Sequence, residues 1–136
     1  MAVFAALDVE VTVNSVNLSD HVTSCSFSPT GADVQTTAFG SANVTRIGGL
    51  QDGSVSIEFQ SDFAVSETYA TLVGLINTLT TVTVKPTSDA TSATNPEHSV
   101  SCLVTEVPFI DANVGDLATF SVTWPMSGAV SIATAP

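Results

Sequence analysis

The chain has 136 residues, and its two basic residues against thirteen acidic ones give a formal net charge of −11 at neutral pH. A chain of this length forms one domain, residues 1–136, and buries roughly two thirds of the surface that its unfolded state exposes. The excess of acid repels phosphate and leaves no affinity to gain from counterion release, which argues against a protein that grips nucleic acid electrostatically.

The amino-terminal residues are apolar but lack a basic region, and no apolar run approaches the ~18 residues that a membrane span needs. We therefore expect neither a signal peptide nor membrane insertion. Apolar and polar residues then alternate in several short segments, the pattern of half-buried strands. The predicted strands cover residues 8–13, 16–18, 23–27, 54–60, 81–85, 99–105 and 114–124. Asn14 and Ser15 predict a tight turn between the first two strands.

Residues 29–53 have no sustained period and carry glycines near both ends, so we predict a long loop between two strands. Loops of this length are uncommon in compact domains and are usually functional or disordered. One interpretation is a flap folded over its own subunit, which would bury the apolar residues of the loop: Phe39, Val44, Ile47 and Leu50. Arg46 would then pair with a nearby carboxylate.

The period changes after the fourth predicted strand, where apolar residues recur at i, i+3, i+4 and i+7: Tyr69, Leu72, Val73 and Ile76. Ser66 is the predicted N-cap, and Glu67 suits the first turn. We predict a helix over about residues 66–77, held by packing on a sheet because its threonines are weak helix formers. Residues 87–97 are polar and predict an exposed loop without an apolar anchor.

The last predicted strand carries the only tryptophan, Trp124, which we expect to anchor the core. Pro125 is predicted to end that strand, because proline cannot donate to a strand ladder. The tail that follows it is expected to fray or to add an edge strand to a neighbour. Several short strands, one helix and one long loop predict a mainly β protein. Its architecture would be a β-sandwich or small barrel with one flanking α-helix.

Cys25 and Cys102 fall on the apolar faces of their strands, which favours two buried free thiols over a disulfide between sheets. His21 and His98 are the only histidines, so a catalytic triad would need one of them. Neither lies in a recognisable catalytic frame, and we predict that the chain is not an enzyme. Residues 111–116 have alternating oxygen side chains but lack the order of a calcium loop. They predict a backbone turn, and no cofactor or metal is expected.

Four stretches resemble the small tail tube proteins, or major tail proteins, of bacteriophages with long non-contractile tails. They are residues 13–24 (VNSVNLSDHVTS), 37–41 (TAFGS), 50–59 (LQDGSVSIEF) and 115–130, where GDLATFSVTWP is followed by SGAV. None is a catalytic signature, so the resemblance is one of overall pattern along nearly the whole chain.

The resemblance implies a structural virion protein whose subunits form rings, hexameric in the family, that stack into a hollow tail tube. DNA would pass through the tube during ejection without specific binding. The partners implied are other copies of the chain, a tape-measure protein, and tail tip or terminator proteins. The resemblance further implies assembly in the host cytoplasm and a final location in the phage tail.

Alternation along the strands then gives candidates for the tube lining: Glu10, Thr12, Ser56, Glu58 and Gln60, with Asp62 at a rim. Tail tube proteins use a long loop between strands to contact the adjacent ring, and the resemblance allows part of residues 29–53 to form a hairpin there. The corresponding candidates here are Phe39, Arg46, Ile47 and Leu50. Two alternatives stay open: a β-sandwich binding, decoration or adhesion module of a virion or cell surface, and a small hydrolase built around His21 or His98.

Overall fold

The computed structural model describes residue 3 and residues 5–65, 67–108 and 110–135. The strands in this part of the chain are β1 (Glu10–Val13), β2 (Val16–Asn17), β3 (Val22–Gln35), β4 (Arg46–Gln60), β5 (Leu79–Lys85), β6 (Glu97–Leu103) and β7 (Thr119–Ala133). A 3-10 turn spans Ser19–His21, and a short helix, α1, spans Thr68–Leu72. The predicted mainly β class is confirmed.

The strands form one antiparallel sheet in the order β2-β1-β5-β6-β7-β4-β3, and β7 joins its two halves. From Thr119 to Pro125, β7 pairs with β4, and from Met126 to Ala133 it pairs with β6. Pro125 therefore marks a change of partner, and the prediction that it ends the strand was wrong. A residue without an N–H is tolerated there because one ladder stops and the other begins. The tail forms part of β7 as far as Ala133.

Buried apolar side chains from both halves of the sheet meet in one core. The cluster includes Val11 and Val13 on β1, Val82 on β5, Val100 and Cys102 on β6, Val55, Ile57 and Phe59 on β4, and Phe120, Val122 and Trp124 on β7. Trp124 is fully buried and donates its indole N–H to the carbonyl oxygen of Glu106 at 3.0 Å. Its ring centroid lies 6.5 Å from that of Phe59. Trp124 anchors the core as predicted.

The connection between β1 and β2 is the predicted tight turn. Asn14 and Ser15 both have positive φ, 51° and 67°, and Val13 pairs directly with Val16. Two consecutive left-handed residues define a type I′ turn, whose twist matches that of the flanking strands.

The prediction of a long irregular loop over residues 29–53 was mostly wrong. Strand β3 continues to Gln35, β4 begins at Arg46, and these two residues pair with each other. Only residues 36–45 lie outside the ladder. A hairpin in part of this segment was allowed by the resemblance, but its extent was not predicted, because no core lies beneath the ladder and no apolar period marks it. A β-bulge at Gly49 and Leu50 of β4, opposite Ala32 of β3, interrupts the pairing further.

The helix is also shorter than predicted, with five residues from Thr68 to Leu72 in place of residues 66–77. Ser66, the predicted N-cap, lies outside the described residues. Leu72 is buried, whereas Val73 and Ile76 are exposed, so only part of the predicted stripe reaches the core. Thr68, Tyr69 and Thr71 are weak helix formers, so their propensity does not extend so short a helix. The chain turns away through Gly74.

Residues 87–97 contain no buried apolar side chain, as expected, but they are not fully exposed, because the polar residues Thr91 and Asn95 are buried. Asn95 is buried, and its side-chain oxygen accepts from the backbone N–H of Thr87 at 3.0 Å. Its side-chain nitrogen donates to the carbonyl oxygen of Asp89 at 2.9 Å. A buried amide with these partners orders the loop around itself.

Candidate assembly surfaces

The outer part of the β3–β4 hairpin, residues 30–52, projects from the rest of the fold, and we call it the arm. Every residue in it is exposed. The exposed side chains include five large apolar ones: Val34, Phe39, Val44, Ile47 and Leu50. Phe39 is 110% exposed and Leu50 87%. The arm is therefore not a flap folded over its own subunit.

The arm is held together by contacts between its own two strands. Arg46 forms an ion pair with Asp33 at 2.5 Å, which confirms the predicted pairing of Arg46 with a carboxylate. Near the tip, the backbone N–H of Thr36 donates to the carbonyl oxygen of Thr45 at 2.8 Å. An isolated two-stranded hairpin is at best marginally stable in water. The arm thus exposes apolar surface on a scaffold that would gain from being covered.

The outer face of β3, β4 and β7 carries a continuous field of hydroxyl groups. We define this hydroxyl face as Ser24, Ser26 and Ser28 on β3, Ser54, Ser56, Glu58 and Gln60 on β4, and Thr119, Ser121 and Thr123 on β7. Cross-strand register places Ser26, Ser56 and Thr123 in one row, and Ser24, Glu58 and Ser121 in the next. The period of two puts them all opposite the buried face of the sheet.

Hydrogen bonds link the side chains of this face to one another. Glu58 accepts from the hydroxyl of Thr23 at 2.7 Å and from that of Ser121 at 3.4 Å. The hydroxyls of Ser56 and Thr123 lie 3.1 Å apart. Neither basic residue of the chain belongs to the face, since Arg46 lies in the arm and Lys85 on β5. The surface is therefore polar, weakly acidic and without a cation.

Strict alternation over the predicted strand 23–27 would place Thr23 on the same face as Cys25 and Phe27. Its contact with Glu58 instead places its hydroxyl at the outer face. A register shift between Val22 and Ser24 explains the difference, because a bulge reverses the alternation locally.

The structure brings together only some of the candidates for a tube lining. Ser56, Glu58 and Gln60 share the hydroxyl face. Glu10 and Thr12 lie on β1, which is separated from β4 by three strands in the sheet order. Glu10 lies 3.7 Å from Lys85 on the neighbouring strand. The sequence placed both groups on polar faces of strands but could not show that the strands belong to different halves.

Asp62 lies two residues beyond the end of β4, next to His21. Its Oδ2 is 2.8 Å from Nε2 of His21, while Nδ1 of His21 lies 2.8 Å from Asp20 and 3.2 Å from Glu67. The hydrogen bond that His21 donates to Asp20 outweighs partial burial and raises the pKa of His21 above 6.5. Hydrogen bonds from the backbone N–H of Ala64 and from His21 lower the pKa of Asp62 below 3.8.

These contacts bear on the hydrolase alternative and on metal binding. Ligand atoms of Asp20, His21 and Glu67 lie within 4.8 Å of one another, which makes them the candidate metal-binding group among the described residues. Both ring nitrogens already face carboxylates, which describes an ion-paired histidine, so we assign no metal site. The polar partners found for the ring are carboxylates, whereas a triad requires a hydroxyl or thiol beside the histidine.

Both cysteines are free thiols, as favoured from the sequence. Cys102 is buried in the core, and burial raises its pKa to about 11. Cys25 is only half-buried, and burial raises its pKa as well. Thiols with raised pKa values are poor nucleophiles at neutral pH.

Residues 111–116 form an exposed turn in which the N–H of Asp116 donates to the carbonyl oxygen of Asn113 at 3.2 Å. The alternating oxygen side chains thus accompany a backbone turn, as predicted. In the described part of the chain, no helix is long and apolar enough to cross a membrane.

No protein-family model and no curated protein matches the chain. Solved structures do match it in fold. One is a chain from the virion of a native gene transfer agent particle, with a TM-score of 0.75 and 13% identity over 97% of this chain and 100% of that one. Another comes from the sheath/tube terminator of an extracellular contractile injection system in its extended state, with a TM-score of 0.71 and 16% identity. It covers 98% of this chain and 99% of its own.

A third match is a chain from the tail of an empty gene transfer agent particle, refined helically with C6 symmetry. Its TM-score is 0.64, with 14% identity over 84% of this chain and 83% of that one. At these identities the comparisons establish a shared fold, and in the first two pairs the two chains correspond almost end to end.

Proposed function

We propose that this chain is a structural tail protein whose copies assemble into rings, hexameric as in the family that the sequence resembles, and that the rings stack into a hollow tube. The observation that carries the proposal is the arm. It is an ordered hairpin with exposed Phe39, Ile47 and Leu50, in a fold shared with chains of tail and injection particles. A monomer gains nothing from such a projection, whereas a second copy can cover it.

The sheet also has two open edges, at β2 and at β3. Strand β2 has only two residues, but β3 has fourteen and offers a long row of unpaired backbone groups on its outer side. Unblocked edges pair with other chains. Contacts between different surfaces of identical copies give rings when the rotation closes, and stacked rings when a second contact repeats along the axis. We assign the edges to the ring and the arm to the stacking contact.

The hydroxyl face is our candidate for the tube lining. Of the residues proposed from the sequence, Ser56, Glu58 and Gln60 belong to it, and Ser24, Ser26, Ser121 and Thr123 now join them. DNA would pass along an acidic, hydroxyl-rich wall without binding it. The wall has no cations to neutralise phosphates, so no affinity is gained from the release of counterions. Glu10 and Thr12 lie on β1, away from the hydroxyl face, and we no longer include them among the candidates for the lining. Tape-measure and tail tip or terminator proteins are the further partners that such a tube requires.

The test is negative-stain electron microscopy of the purified protein over a concentration series, paired with light scattering for mass. We expect hollow rings or tubes, and we expect Phe39→Ser together with Leu50→Ser to abolish stacking. The matched control is Leu117→Ser, which replaces another exposed apolar side chain outside the arm. Equal assembly of the arm variant and the control would contradict the role of the arm.

A protein that stays monomeric, and remains so when a purified tail tip complex is added as initiator, would overturn the tube. The β-sandwich binding or decoration module would then be the better description. Its candidate binding site would be an apolar groove of about 450 Å³ between the sheet halves, lined by residues such as Phe27, Val84 and Val130.

A further inference from the structure

His21 connects three separate elements at the end of the β3–β4 hairpin opposite the arm. It ends the 3-10 turn immediately before β3, Asp62 follows β4, and Glu67 immediately precedes α1. The His21 side chain is only 16% exposed. Its ring therefore fills the gap between these elements, and its two nitrogens reach carboxylates from all three.

The partners of His21 are themselves fixed. The backbone N–H of Asp62 donates to the hydroxyl of Thr68 at 3.0 Å, and its carbonyl oxygen accepts from the N–H of Tyr69 at 3.0 Å. On the other side, the N–H of His21 donates to the carbonyl oxygen of Leu18 at 2.9 Å. The imidazole thus joins two locally ordered pieces, the start of β3 and the segment that leads from β4 into α1.

The arrangement requires a positive charge on the ring. Nδ1 lies 2.8 Å from Asp20, and Nε2 lies 2.8 Å from Asp62. A neutral imidazole carries one N–H, so it can donate to one of these carboxylates while its other nitrogen presents a lone pair to the second. The imidazolium donates to both. The charged groups found around the ring are Asp20, Asp62 and Glu67, and all three are acids.

We propose that protonated His21 is a pH-dependent clip that fastens the segment after β4, and with it α1, to the start of β3. When the pH rises above the pKa of His21, one ring nitrogen loses its proton. The surrounding carboxylates then repel each other, because no cation lies between them. The segment from Asp62 to α1 then detaches more readily from β3. This inference is independent of the proposed tube, because it concerns the isolated subunit.

The direction of the pH effect follows from the two pKa shifts. The pKa of His21 is raised from 6.5, so its contribution is complete below pH 6.5 and is lost as the pH rises through the raised value. The pKa of Asp62 is lowered from 3.8, so its contribution is present above pH 3.8 and is lost as the pH falls through the lowered value. The clip is therefore strongest at mildly acidic pH.

The experiment compares melting temperatures of the full chain and of His21→Gln at pH 5.5 and pH 8.5, with a chelator present. We expect the native protein to melt well above the variant at pH 5.5, with a gap that narrows at pH 8.5. The matched control is His98→Gln, which removes the only other histidine and should retain the native pH response. A gap of equal size at both pH values would overturn the clip.

A second measurement does not depend on how well a variant folds. Titration of the native protein by NMR should show the His21 ring with a pKa above that of an unperturbed histidine. Asp62→Asn removes one of the facing charges and should lower that pKa, whereas Asp111→Asn, in an exposed turn, should leave it unchanged. A His21 ring that titrates at or below its ordinary value would refute the proposal.

Discussion

The two ends of the β3–β4 hairpin differ more than any other parts of the molecule, although the same two strands build both. In the lower end, Val55, Ile57 and Phe59 enter the core, and the opposite face carries the hydroxyl groups. In the arm, every side chain is exposed, and only its base, at Gln51 and Asp52, lies beside β7. The same two strands therefore build a lower end that is stabilised by burial and an arm that is not.

This difference assigns the stability of the subunit to its body, and its proposed assembly contacts to the arm. Burial of apolar surface contributes roughly 25 cal/mol per Å², so the body carries nearly all of the hydrophobic stabilisation. The arm is supported by its backbone ladder and one exposed ion pair, which leaves it at the low end of local stability. Substitutions in the body should therefore unfold the subunit, and substitutions in the arm should leave a folded subunit that fails to stack.

The largest effect is expected from Trp124→Ala. The change removes the side chain at the centre of the core and leaves the carbonyl oxygen of Glu106 without its indole partner. Such truncations cost about 3–5 kcal/mol. Urea denaturation should show this loss in the free energy of unfolding, whereas Leu50→Ala, in the arm, should change it by less than about 0.5 kcal/mol. Comparable losses in both variants would remove the distinction between body and arm.

A smaller effect is expected from Gly53→Ala, at the boundary between the two regions. A Cβ at this position would lie 2.6 Å from the carbonyl oxygen of Ser28 and 2.9 Å from Sδ of Met126. Because backbone cannot yield as a side chain can, we expect a loss of about 1–3 kcal/mol in the free energy of unfolding. The control is Gly48→Ala in the arm, where a Cβ meets nothing within 4 Å. Equal denaturation midpoints for the Gly53→Ala and Gly48→Ala variants would contradict the close approach of the Ser28 backbone to position 53.

Much of the body could be predicted from the sequence because burial imposes its period on the residues. Phe59, Val122 and Trp124 alternate with polar neighbours, and the structure places all three in the core. The pairing of strands that are distant in sequence produces no local pattern of this kind. The change of partner at Pro125 depends on which strands lie on each side of β7, and the sequence suggested a strand end instead.

The candidate surfaces were predictable to the extent that they depend on alternation. Ser24 and Ser26 alternate with Cys25 and Phe27, so a polar outer face on β3 was detectable, but its alignment with Glu58 required the register. The arm carries no period because nothing packs beneath it, and its ladder could not be inferred from Val34 and Ile47 alone. The group around His21 joins residues 41 positions apart in sequence, which no local pattern reveals.

The smallest effect on stability is expected from Arg46→Glu, and this variant tests what the arm recognises. Arg46 and Asp33 are 55% and 54% exposed, and exposed pairs contribute at most about 1 kcal/mol. We expect a folded subunit with an unchanged body and, by electron microscopy, a loss of stacking. That loss has two explanations, because the substitution places two acids at diagonal positions across the hairpin and also removes a cation from the surface of the arm.

Exchange of the two charges, Asp33→Arg with Arg46→Asp, distinguishes these explanations. The pair across the hairpin is restored in reverse, while each position presents the opposite charge to its surroundings. Recovery of stacking would mean that Arg46 acts within its own arm by keeping the two strands in register. Continued failure would mean that Arg46 contacts an acid on another copy, a contact favoured by the formal charge of −11 on each chain. Normal stacking of Arg46→Glu itself would remove Arg46 from the contact and leave the apolar residues of the arm to provide it.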